Sequence, residues 1–82
     1  MEQHTAREFI EAFEGPHGKA ELYEVVKTFP GRPHVEEVEY EVMFRGESQF
    51  RLTLGEASIL ACELSGDPRF ATEIVEPGHS NI

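Results

Sequence analysis

Apolar and polar residues alternate most cleanly between positions 37 and 44, where Val38, Tyr40, Val42 and Phe44 interleave with Glu37, Glu39, Glu41 and Met43. Successive side chains of an extended chain point to opposite faces, so this stretch predicts a half-buried antiparallel strand with one apolar and one acidic side. Beyond Gly46-Glu47-Ser48, Phe50, Leu52 and Leu54 alternate with Gln49, Arg51 and Thr53, which predicts the next strand of a hairpin. Residues paired directly across a hairpin share a face, and matching Phe44 to Phe50 requires an odd loop. A three-residue loop over Gly46–Ser48, or a five-residue one around it, places Val42 opposite Leu52 and Met43 opposite Arg51. A two-residue turn is disfavoured on this pattern.

Upstream, Ala20 to Phe29 is rich in Val, Tyr and Phe and is closed by the turn-forming Pro30-Gly31-Arg32-Pro33, so a strand is expected there too. Its alternation is broken by the adjacent Val25 and Val26. The buried face stays open at this point, although Tyr23, Val25 and Phe29 share a parity.

Two segments carry helical spacing instead. Thr5-Ala6-Arg7-Glu8 has the form of a capping box, in which hydroxyl and carboxylate satisfy the orphan amides of a first turn. Ala6, Phe9, Ile10 and Phe13 then fall on one arc, Arg7, Glu8, Glu11 and Glu14 on the other, and Gly15-Pro16 ends the pattern. The same device recurs at Thr53-Leu54-Gly55-Glu56, followed by an apolar arc of Ala57, Leu60, Ala61 and Leu64 and the stop Ser65-Gly66-Asp67-Pro68. Phe70, Thr72 and Ile74 alternate with Ala71, Glu73 and Val75, which predicts a short edge strand stopped by Pro77, and a loose polar tail is expected from 77 to 82. The expected fold is thus α+β in the order αβββαβ: a three- to four-stranded antiparallel sheet with two helices packed on one face, forming a single domain over residues 1–82. The first five elements come in an order similar to that of double-stranded RNA-binding domains. Those domains rely on basic residues at the start of the second helix, where this chain has Glu56, so the likeness implies topology and not RNA binding.

The charge balance sharpens that exclusion. Sixteen acidic against seven basic residues give a formal charge of -9, which repels nucleic acid and anionic membranes and leaves neutral or basic proteins as the expected partners. At 82 residues, 39% of them apolar, the chain suffices for one modest core. A single cysteine, Cys62, excludes an intrachain disulfide and a four-cysteine zinc site, and fits a reduced compartment. The opening Met1-Glu2-Gln3-His4 lacks the basic and apolar blocks of a signal peptide, and no apolar run reaches membrane-spanning length, so a cytoplasmic location is expected.

Candidate chemistry is sparse. Glu37, Glu39 and Glu41 form a ladder of carboxylates about 7 Å apart on one side of a strand, a spacing that resembles a row of phosphates. With Met43 beside it and Glu8, Glu11 and Glu14 on the expected first helix, that ladder predicts a partner-binding face. It would fit the basic groove of a nucleic-acid-binding protein, in the manner of small phage inhibitors. The plainer reading is a solvated sheet face charged against aggregation. Ile59 and Cys62 lie one turn apart on the side of the second helix away from Ala57, Leu60 and Leu64, which predicts an outward apolar spot for a homodimer or docking contact.

Nothing in the pattern predicts catalysis. His4, His17, His34 and His79 fall in termini or loops without zinc-motif spacing, and Cys62 has no neighbouring base in sequence. His34 with Glu36 or Glu37 is the one conceivable metal set, and neither a phosphate loop nor a nucleophile elbow is present. No cofactor is expected. The sequence therefore predicts a non-enzymatic protein that regulates or inhibits a protein partner, with an accessory subunit or homodimeric module as the alternative and a small metal-dependent enzyme as the third.

Overall fold

The computed structural model describes residues 4–69 of the chain. Four strands, β1 (His4–Gly15), β2 (Gly18–Phe29), β3 (Arg32–Phe44) and β4 (Glu47–Arg51), precede one helix, α1 (Leu54–Ser65). The strands form an antiparallel meander in the order β1-β2-β3-β4. The order αβββαβ, with two helices on one face, is thereby corrected to ββββα. The likeness to RNA-binding domains goes with it, because the segment expected to be the first helix is a strand. The strand expected over 70–75 and the tail over 77–82 lie outside the described residues.

The segment expected to be the first helix is β1, paired along its length with β2. Its helical spacing has a physical origin in a bulge. The register shifts between Phe9 and Glu11, so that Phe9 opposes Tyr23 while Phe13 opposes Ala20 and Ala6 opposes Val26. An extra residue in one strand exchanges the two faces beyond it. Ala6 and Phe13, of opposite parity, therefore share a face, and the apolar positions imitate a period near 3.6.

β2 and β3 pair without interruption from Ala20↔Phe44 to Thr28↔Glu36. The face carrying Ala20, Leu22, Val42 and Phe13 receives α1, whose Ala57, Leu60, Ala61 and Cys62 complete the core, with Tyr40, Phe44 and Leu64 packed around it. Tyr23, Val25 and Phe29 share the opposite face. Thr53 caps α1 by accepting the Glu56 backbone N–H, and Gly66 ends it in the left-handed conformation, as the second capping box predicts. Cys62, expected to face outward, is instead 1% exposed within the core, whereas Ile59 is 38% exposed. The helix contacts all four strands, and its buried arc is wide enough to include position 62.

The β3–β4 turn also departs from expectation. Phe44 pairs with Glu47, so Arg45-Gly46 alone make the turn, with φ of 55° and 80°. Positive φ at both positions marks the tight hairpin turn whose twist suits flanking strands, and Gly46 supplies it without a Cβ penalty. Val42 accordingly opposes Gln49 and Glu41 opposes Phe50. Leu52 and Leu54 do not continue the strand: β4 stops at Arg51, and the next two residues turn into the helix cap.

A twelve-residue helix is ~18 Å long, while strands of twelve and thirteen residues reach ~40 Å. α1 therefore covers only one end of the sheet. Its C-terminal end is fastened to β1 and the turn that follows it: the His17 N–H donates to the Ser65 carbonyl, the Glu14 N–H donates to Asp67 Oδ2 at 3.0 Å, and Arg69 donates to the Ala12 carbonyl at 3.1 Å. Arg69 also pairs with Asp67 and Glu11 and lies over the Phe13 ring.

Candidate functional site

The acidic ladder lies where strand alternation puts it, on the sheet face opposite α1. The register sets cations against it. Lys27 on β2 directly opposes Glu37 and reaches diagonally to Glu39, with Nζ to Oε2 at 2.8 Å. Arg7 on β1 reaches across β2 to Glu41, Nε to Oε1 at 2.6 Å, and its guanidinium stands 3.6 Å above the Tyr23 ring. Ser48 on β4 donates to the other Glu41 oxygen at 2.5 Å. Glu41 is thus 8% exposed and held from both sides.

Electrostatics follow the geometry. Burial pushes the Glu41 carboxyl up, but hydrogen bonds from Arg7 and Ser48 outweigh it and the net displacement is downward. The hydrogen bond to Glu41 raises Arg7, and the bond to Glu39 raises Lys27. The three carboxylates of the ladder are therefore not equivalent. Glu41 belongs to an internal network, Glu39 is neutralised by Lys27, and Glu37 is exposed with no ion pair among the described residues.

Met43 sits at the end of this network, its Sδ 2.8 Å from the Arg7 guanidinium. Phe9 packs edge-on against Tyr23 at 5.7 Å between centroids, and Phe50 flanks Glu41 from β4. Glu8, Glu11 and Glu14, expected to extend the acidic surface from a helix, are distributed over both sides of β1, and Glu11 pairs with Arg69. Cys62 and Ile59 are remote from the ladder, which lies across the sheet. The structure brings Glu37, Glu39, Glu41 and Met43 together and leaves Ile59 and Cys62 apart from them.

Sequence reasoning missed Arg7, Lys27, Ser48 and Phe50. Lys27 is not legible from the Pro30-Gly31 turn, because an unbroken hairpin pairing Phe29 with Arg32 would set Lys27 against His34, and only the register shift between Thr28 and Phe29 brings it opposite Glu37. Arg7 was hidden by the helical reading of its segment.

A second feature adjoins the ladder. β4 pairs with β3 only over Phe44 to Tyr40. From Glu39 back to Arg32, the outer edge of β3 carries no strand among the described residues. Glu36, Glu37, Val38 and Glu39 keep regular pairing with β2 on their inner side. A groove of about 270 Å³, lined by Lys27, Glu37, Val38, Glu39 and Leu52, lies where β4 leaves off. Leu52 is 76% exposed and Val38 40% exposed beside it. A second groove of about 400 Å³ lies at the β2–β3 turn between Phe29, Gly31, Arg32, Val35 and Glu37.

Among the described residues no group of three or more His, Cys, Asp or Glu side chains converges to hold a metal ion, so His34 is not brought together with Glu36 and Glu37 as a ligand set. No helix among them is long and apolar enough to cross a membrane. No family model matches the chain, and comparison with curated proteins and with solved structures finds no match either.

Proposed function

We propose that the protein is a non-enzymatic binding module that regulates or inhibits a basic protein partner, taken at the acidic outer edge of β3. The observation that carries this reading is the division of charge along the strand. Lys27 and Arg7 tie down Glu39 and Glu41, whereas Glu36 and Glu37 remain exposed beside the open edge and the groove at Val38 and Leu52. Exposed carboxylates beside apolar surface suit recognition of a basic segment, because the carboxylates steer the encounter and the apolar groups retain it. Imitation of nucleic acid is narrowed accordingly: Glu36 and Glu37 would meet the partner's cations, and the rest of the ladder holds the sheet.

The test is affinity capture with the native chain and with the double variant Glu36→Lys, Glu37→Lys, each first shown to be folded by circular dichroism. These positions are chosen because reversing Glu39 or Glu41 would break internal ion pairs. A basic protein retained by the native chain, released by salt and lost by the variant is the expected result. Identical capture by both would contradict the reading.

A further inference from the structure

We infer that the partner is bound as an added β-strand, an extended basic segment hydrogen-bonded to Glu36–Glu39 of β3 in line with β4. This rests on the proposed function and gives it a mode. β3 has thirteen residues and β4 five, so among the described residues the sheet has a step in its outer edge. Within that step the backbone of β3 is already held extended by β2, from Thr28↔Glu36 to Val25↔Glu39. Half of its amide and carbonyl groups therefore point outward, and an incoming strand has its partners preorganised. Pro33 has no N–H to donate, so useful pairing begins after it.

Side chains select the occupant. Glu37 and Glu39 project to the open face and Glu36 and Val38 to the helix face, so an added strand meets carboxylates on one side and Val38 beside Glu36 on the other, with Leu52 in the groove where β4 leaves off. An alternation of basic and apolar residues complements both. A second copy does not, because antiparallel pairing of two β3 edges places glutamates against glutamates in a chain already at -9. The outer edge of β1 is less suited. It carries the bulge at Phe9–Glu11, and Asp67 and Arg69 already engage its backbone at Glu14 and Ala12.

The experiment uses the full chain and a short fluorescent peptide of alternating lysine and valine, followed by anisotropy, with amide hydrogen exchange read by NMR. A second peptide has the same sequence with alternate backbone nitrogens methylated on its pairing edge, which keeps charge and side chains but removes the donors. The expected result is binding that is weakened at least tenfold by methylation, with slowed exchange at Glu36–Glu39. Equal affinity for both peptides, with no added protection there, would overturn strand addition while leaving the acidic edge as a basic-partner site. Failure of the unmethylated peptide to bind, with or without salt, would overturn strand addition; failure of oligolysine to bind as well would remove the underlying reading.

Discussion

Arg7 and Lys27 each withdraw one carboxylate of β3 from the surface charge, and Arg69 does the corresponding work at the other edge of the sheet. Its guanidinium holds Asp67 well below the ordinary carboxyl value of 3.8, at about 2, assisted by the backbone N–H groups of Arg69 and Glu14. The folded state therefore binds fewer protons at this site than the unfolded state between those values, and the stabilisation is present above about pH 4 and lost as pH falls towards 2. Asp67→Asn is expected to lower stability at pH 7 and to flatten acid unfolding between pH 4 and 2, measured by urea melts across that range. Equal loss at both ends would mean that Asp67 acts by packing alone. Gly15 fixes the same corner sterically. A Cβ there would stand 2.3 Å from the Gly66 carbonyl carbon and 2.5 Å from the Asp67 nitrogen, both backbone atoms unable to yield cheaply. Gly15→Ala is expected to destabilise by about 2 kcal/mol or more, read from the same melts.

At the scale of elements, the two capping-box sequences make a controlled comparison. Thr53 accepts the Glu56 N–H at 3.1 Å at a real helix start, whereas Thr5 lies on β1 opposite Lys27. Thr53→Ala should cost about 1 kcal/mol, and Thr5→Ala, at an exposed strand position, less than about 0.5 kcal/mol. A cap-sized loss at Thr5 would restore the helical reading of that segment. The contrast shows what is legible in a sequence. α1 and β3 were readable because local chemistry and tertiary environment agree: a cap, an apolar arc and a glycine stop for one, strict alternation for the other. β1 was not, because a bulge switches its faces and leaves an apolar spacing that fits a helix as well as a bent strand. The β3–β4 register failed for a related reason. Pairing Phe44 with Phe50 maximises apolar contact, but Arg45-Gly46 can adopt positive φ and makes the shorter turn, which leaves Phe50 beside Glu41 on the open face. Cys62 was misplaced because the helix buries a wider arc than Ala57, Leu60, Ala61 and Leu64 indicate.

For the whole molecule, the mismatch between a long sheet and a short helix has the larger consequence. α1 seals the end of the sheet containing Phe13, Leu22 and Val42, and the opposite face has no covering layer among the described residues. Ion pairs between strands occupy much of that face, so its charge is largely spent internally. The acidic ladder was readable from alternation alone, but its division into held and exposed carboxylates depends on which strand lies beside which, information that resides in turn geometry far along the chain. Among the described residues, exposed carboxylates without an ion pair stand at the step where β3 outruns β4, as Glu36 and Glu37, and also elsewhere, as Glu8, Glu14, Glu47, Glu56 and Glu63.

The most direct measurement is the salt dependence of the affinity for a fluorescent oligolysine peptide, compared among the native chain, Glu36→Gln/Glu37→Gln, and Glu56→Gln/Glu63→Gln on the exposed side of α1. Both double variants remove the same charge. Binding that falls steeply with salt, drops at least tenfold in the β3 variant and is nearly unchanged in the helix variant is the predicted result. Equal weakening by both variants would show that the peptide responds only to net charge, and the β3 edge would then have no claim to be the site.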